Sequence, residues 1–136
     1  MNVELIHEPI SADAFNSLCR SVGWGEVPAN VFEVAQRNSL CCVHARRADD
    51  VVGFARLVGD VGMYLYVQDL IVRGEFQGQG IGSKLLQEIH GVVERFQVCR
   101  RRVSLIAETR VVPFYERQGY LESSPPSKFL FRSLKS

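Results

Sequence analysis

The chain has 136 residues, of which 46% are hydrophobic and 23% are charged, and its formal net charge at pH 7 is +1. This length suits one domain, 1–136, with one hydrophobic core, and the composition excludes a mainly disordered chain. The near-neutral charge disfavours a nucleic-acid partner, because nucleic-acid binders usually carry a strong basic excess. The dense basic run at 100–102 is interpreted as an exposed link between a helix and a strand.

The cysteines and histidines indicate no metal site. The cysteines are Cys19, Cys41, Cys42 and Cys99. They form no C-x-x-C pair and lie at no ligand spacing from a histidine, so we expect reduced, buried or half-buried thiols and no metal. The histidines, interpreted as surface residues, are His7, His44 and His90. No apolar run reaches membrane-spanning length and no basic leader precedes the first strand, so we expect a cytoplasmic protein that does not contact membranes.

The first half of the chain predicts two helices and four strands. A strand at 3–6 comes first, Ser11 can cap a first helix, and Pro28 can open a second. Further strands are predicted at 40–46, 51–58 and 64–72. Short turns join these three strands, which therefore form an antiparallel meander.

The second half begins with an amphipathic helix at 81–96, whose apolar residues recur at steps of three and four. A strand at 103–107 follows through this helix and is therefore expected to be parallel to its predecessor. A short helix with Pro113 in its first turn and an end at Gly119 comes next. Final strands are predicted at 120–121 and 129–131. The order β-α-α-β-β-β-α-β-α-β-β predicts a mixed α/β fold.

A glycine-rich turn, Gln77-Gly78-Gln79-Gly80-Ile81-Gly82, joins the meander to the amphipathic helix. Strand, turn and helix in this order place backbone N–H groups and the positive helix end at one point, which suits a phosphate. The spacing fits neither G-x-x-x-x-G-K-[ST] nor G-x-G-x-x-G. Nucleotide-binding proteins of these two classes are therefore disfavoured.

The pattern that fits is Q/R-x-x-G-x-G/A, which with its flanks resembles the acyl-CoA loop of the GNAT superfamily of N-acetyltransferases. The segment 67–72, the loop, the Leu85-Leu86 helix and the segment 113–120 stand in the family's order and at its intervals. The resemblance implies a mostly antiparallel central sheet flanked by helices and splayed between its fourth and fifth strands. It also implies acetyl-CoA as co-substrate and a homodimer.

The same resemblance implies the coenzyme site. The loop would bind the pyrophosphate through its backbone, and a bulge in the preceding strand would free main-chain groups for pantetheine and the thioester carbonyl. The implied coenzyme-binding residues are Leu70, Ile71, Val72, Gln77, Gly78, Gln79, Gly80, Ile81, Gly82 and Ser83.

Three residues are candidates for catalysis. Tyr115 stands where relatives place a tyrosine near the coenzyme sulfur. A phenol of pKa about 10 is protonated at neutral pH, whereas a thiol of pKa about 8.5 leaves as thiolate, so Tyr115 can act as the acid or as a hydrogen-bond donor. The alternative is a core tyrosine beside Phe114. The pair Gln68-Asp69 resembles the Glu-Asp of glucosamine-6-phosphate N-acetyltransferases, so Asp69 is either a base or a structural carboxylate near the bulge. Glu108 is a second candidate base.

The acceptor is predicted from loops and charge. Trp24, in a glycine-flanked turn, either lines a cleft or pins the loop to the core. That loop is short, Pro125-Pro126 stiffens another, and Glu26, Asp69 and Glu108 would attract a compact cation. We therefore predict transfer to a small primary amine or polyamine. The alternatives are a protein or peptide acceptor, or a non-catalytic acyl-CoA sensor. The predicted substrate-binding residues are Trp24, Glu26, Gln68 and Asp69.

Overall fold

The computed structural model describes residues 2–96, 102–123 and 128–134. The chain divides into two compact units, Met1–Leu105 and Ile106–Ser136. The first unit contains β1 (Glu4–Ile6), α1 (Ala12–Ser21), α2 (Ala29–Arg37), β2 (Cys41–Arg47), β3 (Asp50–Gly59), β4 (Leu65–Val72), a 3₁₀ turn (Gly74–Phe76) and α3 (Ile81–Val93). The second contains a 3₁₀ turn (Thr109–Val111) and α4 (Val112–Arg117). That 1–136 acts as one domain stays a prediction.

The four strands form one sheet in the order β1-β2-β3-β4, and each is antiparallel to its neighbour. This confirms the predicted meander. Phe54 on β3 packs in a cluster with the α1 and α2 side chains Phe15 and Phe32, whereas a Cβ at Gly53 would point at Leu85 of α3. Successive strand residues face opposite sides, so α1 and α3 cover opposite faces of the sheet.

The predicted helix starts are confirmed where a local signal specified them. Ser11 Oγ accepts a hydrogen bond from the backbone N–H of Ala14 at 3.1 Å and caps α1. Pro28 directly precedes α2, and Pro113 lies in the first turn of α4. Among the described cysteines, Cys19 is buried and Cys41 and Cys42 are half-buried free thiols, as predicted. Burial raises the pKa of Cys41 to about 11.

The strand predicted at 103–107 is wrong in length. Only Ser104 pairs with β4: its backbone N–H donates to Leu65 O and its carbonyl accepts from Val67 N–H, both at 2.9 Å. The bridge from Ser104 to Tyr66 is parallel, which confirms the predicted direction. An apolar run favours extended backbone, but the length of a strand depends on how many of its residues form hydrogen bonds with a neighbouring strand.

The strands predicted at 120–121 and 129–131 are wrong as well, since the structure assigns no strand to either segment. Phe129, Leu130 and Phe131 are 64–85% exposed, so the described residues of the second unit do not bury these apolar side chains. The stiff segment predicted at 125–126 and most of the basic run at 100–102, with Cys99, lie outside the described residues.

The turn between β3 and β4 is held by one carboxylate. Asp60 Oδ1 accepts the backbone N–H groups of Gly62, Met63 and Tyr64 at 2.8–3.0 Å. These hydrogen bonds, that of Met63 first, hold the pKa of Asp60 below its ordinary value of 3.8. Because the folded pKa is depressed, this contribution to stability is present above pH 3.8 and is lost as the pH falls through the folded pKa.

Asp60→Asn should therefore lower the free energy of unfolding at pH 7 and lower it by less near pH 2, because the carboxyl gains a proton as the pH falls. Urea unfolding at the two pH values measures the difference. Asp49→Asn, in the turn between β2 and β3, is the matched control. A loss of equal size at both pH values would contradict the assigned role of the Asp60 charge.

Candidate active site

β4 is bulged where the resemblance implies a bulge. Across the β3–β4 pair, Phe54 lies opposite Ile71 and Arg56 lies opposite Gln68, so Asp69 and Leu70 together face the single residue Ala55. Asp69 has φ +54°, in the left-handed region that non-glycine residues rarely adopt. A bulge of this kind bends the strand and redirects its backbone amides.

The side chain of Asp69 contacts an arginine on the neighbouring strand. Arg56 Nε donates to Asp69 Oδ2 at 2.6 Å, and the two side chains are only 17% and 28% exposed. A charge-assisted hydrogen bond shielded from solvent in this way is stronger than an exposed ion pair. Sequence reasoning missed Arg56, although it lies two residues after Phe54, on the same face of β3, and is polar in an otherwise apolar stretch.

The glycine-rich turn connects β4 to α3 and presents an open backbone face. Gly78 and Gly80 have φ values of +79° and +86°, which favour glycine, and an added Cβ at either would meet no atom within 4 Å. Gly80 is the N-cap of α3, so no side chain caps this helix. Its first turn contains the exposed Lys84 and no acidic residue. The geometry suits an external anion at this helix end.

Gln77 braces the loop. Its side-chain Nε2 donates to the backbone carbonyl of Val72 at 3.0 Å, which ties the loop to the end of β4. The preceding residue, Phe76, lies under the guanidinium of Arg47 at 5.4 Å from the ring centroid. This hydrogen bond indicates that Gln77 positions the loop, and its contact with the coenzyme stays a prediction.

Tyr115 lies on α4 in the second unit. Its ring is half-buried and makes edge contacts with Phe114 and Tyr120, with centroid separations of 5.0 and 5.8 Å. Burial raises the pKa of Tyr115 above its ordinary value of 10.0, and burial together with the Tyr115 charge raises the pKa of Tyr120 to about 12. The Tyr115 phenol is thus protonated at neutral pH, as an acid requires.

Residues 25–130 match the model of the acetyltransferase (GNAT) domain. The chain belongs to the GNAT acetyltransferase family. This confirms the predicted class, an acyl-CoA-dependent acetyltransferase.

Two solved structures support the fold of this GNAT protein. A probable acetyltransferase from meticillin-resistant Staphylococcus aureus is 22% identical, with a TM-score of 0.89, and the match covers 98% of this chain and 100% of that one. A GNAT family acetyltransferase from Streptococcus pneumoniae is 29% identical, with a TM-score of 0.79, 97% of this chain and 100% of that one being covered.

Curated relatives agree on the class. The uncharacterized N-acetyltransferase ycf52 of Pyropia yezoensis is 29% identical over 84% of this GNAT chain and 67% of its own length. A histone acetyltransferase, TAP1 of Glycine max, is 27% identical over 80% of this chain and 51% of its own. GCN5-related N-acetyltransferase 2 of Arabidopsis thaliana, named as chloroplastic, is 27% identical over 79% of this chain and 48% of its own length. The GNAT chain spans between about half and two thirds of the length of these relatives.

The three acidic candidates of this GNAT protein each contact an arginine. Asp69 pairs with Arg56, Glu108 pairs with Arg110 at 2.9 Å, and Glu26 pairs with Arg20. Each pair is close to neutral as a unit. The pairing therefore removes the unbalanced negative charge from which a cationic acceptor was predicted.

Trp24 lies in the loop before α2 of the GNAT chain and is 39% exposed, so part of its surface is open to a ligand. The loop is fixed by Asn16, whose side chain accepts from Val27 N–H at 2.9 Å and donates to Val27 O at 2.8 Å. Its short span and these two hydrogen bonds leave Trp24 at the surface as a candidate contact for a substrate.

The surface prediction for His44 of the GNAT protein is wrong. His44 is only 4% exposed, and its Nδ1 is 3.0 Å from the carbonyl oxygen of Glu8. Burial lowers its pKa, which favours the neutral ring.

Within the part of the chain that the structure describes, no three His, Cys, Asp or Glu side chains are grouped as metal ligands. No described helix has both the length and the apolar character needed to cross a membrane.

Proposed function

We propose that this GNAT protein transfers the acetyl group of acetyl-CoA to a primary amine by direct attack. The observation that carries the proposal is the N-terminus of α3, whose N-cap is Gly80 and which no side chain caps; the glycine-rich loop joins it to the bulged strand β4. This arrangement places an anion-binding helix end beside redirected strand amides. Acetyl-CoA has the matching parts, a pyrophosphate and a thioester joined by an extended amide arm.

The coenzyme is held mainly by backbone groups in this proposal. The N–H groups of 78–83 bind the pyrophosphate, and the exposed Lys84 adds positive charge near the same helix end. The main chain of 70–72 binds the pantetheine arm. Open space above Gly78 and Gly80 supports this role, because phosphate oxygens can approach the backbone closely there.

The proposed chemistry is a direct acyl transfer. The neutral amine attacks the thioester carbonyl carbon, and the carbonyl oxygen becomes an oxyanion that an N–H group of the bulged strand stabilises. Collapse of the tetrahedral intermediate breaks the carbon–sulfur bond, and the phenol of Tyr115 donates its proton to the sulfur as that bond breaks and afterwards regains a proton from solvent. The amine loses its proton to solvent water. Tyr115 holds this role by resemblance and by its protonated state.

For the acceptor, we favour a small primary amine or polyamine. With Glu26, Asp69 and Glu108 paired to arginines, the support that remains is the short loop before α2, which Asn16 fixes and which carries Trp24. A protein or peptide acceptor is the second candidate, since one relative is named a histone acetyltransferase. The homodimer and the cytoplasmic location remain expectations from the resemblance and the sequence.

The test is an assay of free thiol released from acetyl-CoA, with separate panels of small amines, polyamines and lysine-containing peptides. We expect release that depends on the acceptor and a small amine as the best one. Acetylation of peptides with all small amines inert would overturn the acceptor and leave the activity. Coenzyme binding without acceptor-dependent release would instead identify an acyl-CoA sensor.

A further inference from the structure

The left-handed conformation of Asp69 must be stabilised by its surroundings. A non-glycine residue at φ +54° is strained, and such strain persists only where neighbouring contacts determine the conformation. Asp69 occupies this conformation at the point where β4 shifts register against β3. Whatever holds its side chain therefore also holds the bulge.

Arg56 is the group that holds it. Its Nε donates to Asp69 Oδ2 at 2.6 Å, and its Nη1 donates to Ser39 Oγ at 3.3 Å. Ser39 Oγ in turn donates to the carbonyl of Ala35 in the last turn of α2. The planar guanidinium thus connects α2 to the bulge across the sheet face, and a flexible lysine ammonium does not reproduce both contacts.

We infer that Arg56 is a positioning residue for acetyl transfer: through Asp69 it fixes the bulge whose backbone amides receive the thioester carbonyl. The inference rests on the proposed function. It assigns Asp69 to the structural alternative, since the carboxylate oxygen Oδ2 is engaged by Arg56. The pyrophosphate loop is braced separately, by Gln77 on Val72, so binding of the pyrophosphate is separable from the geometry of the bulge.

Arg56→Met, which keeps an unbranched stem and removes the donors, should lower kcat about 10-fold through misplaced amides. The KM for acetyl-CoA should change by less than about threefold, because the pyrophosphate loop is intact. For the same reason, most of the thermal stabilisation by coenzyme A should remain. Arg37→Met, the same change at an exposed arginine of α2, is the control and should have wild-type kcat.

Asp69→Asn separates positioning from proton transfer. Asparagine tolerates positive φ and offers an amide oxygen to Arg56, so positioning requires a smaller loss of kcat than in Asp69→Ala and an unchanged pH profile. If Asp69 is instead the base, Asp69→Asn should lose most of its kcat, and the acidic limb of the pH profile of kcat should disappear. Asp69→Ala should lower kcat as much as Arg56→Met does. The double variant should have a kcat no lower than either single variant, because both substitutions remove the same contact between Arg56 and Asp69.

Hydrogen exchange supplies a readout that does not depend on turnover. In Arg56→Met the amides of 69–72 should exchange faster than in wild type, while those of 77–83 stay unchanged. A wild-type protein that releases no thiol defeats the proposed function, and unchanged exchange at 69–72 defeats the inference. An active wild type with unaltered kcat in Arg56→Met also overturns the inference and leaves the function standing. If Arg56→Met does not fold, Asp69→Asn decides, and loss of kcat with the acidic limb in that variant rejects positioning.

Discussion

Gly80→Asp should lose the thermal stabilisation that coenzyme A gives to the wild-type protein. At a hundred times its dissociation constant, a ligand stabilises the fold by about 2.7 kcal/mol, which is roughly 5–10 °C for a domain of this length. Gly80 begins α3 at φ +86° beside open space. A carboxylate there repels the pyrophosphate and competes for the helix N–H groups that should bind it, so the shift should fall close to zero.

Two controls isolate the charge at Gly80. Gly80→Asn adds nearly the same side chain without the charge, and asparagine tolerates positive φ, so part of the shift should remain. Gly91→Asp makes the same change at an exposed position late in α3 and should keep the whole shift. Differential scanning fluorimetry with and without coenzyme A measures all four proteins. A full shift in Gly80→Asp would place the pyrophosphate elsewhere.

The features that the sequence predicted well depend on neighbouring residues. The Ser11 cap is a contact to Ala14, three residues away, and the turn before α3 is indicated by its own glycines. The meander requires only alternating apolar residues and short turns. Such signals lie within a few residues of one another and are therefore visible in one sequence.

The features that the sequence missed depend on distant partners. Arg56 and Asp69 are 13 residues apart, and His44 meets a carbonyl 36 residues away. Neither contact leaves a local pattern, so the sequence alone did not reveal the buried position of His44. The strand at 103–107 failed similarly, since its length depends on how far β4 offers hydrogen-bonding partners, of which Ser104 finds two.

Tyr115→Phe should lower turnover 10- to 1000-fold, if its hydroxyl is the main acid, and leave coenzyme affinity unchanged. The substitution keeps the ring and its edge contacts with Phe114 and Tyr120. Burial places the pKa of Tyr115 above 10.0, so the phenol stays protonated through neutral and mildly alkaline pH. The loss should therefore be uniform across that range, as steady-state kinetics from pH 6 to 9 can test.

Tyr120→Phe is the matched control, because it removes one hydroxyl from the same ring cluster. Tyr120 follows Gly119 after α4, and its backbone N–H donates to Tyr115 O at 3.0 Å, a contact that the substitution leaves intact. If the acid is Tyr115, only Tyr115→Phe loses turnover, and both variants keep the thermal shift with coenzyme A. Equal losses in the two variants would indicate that the ring cluster as a whole supports the fold, and wild-type turnover in Tyr115→Phe would assign Tyr115 to packing against Phe114.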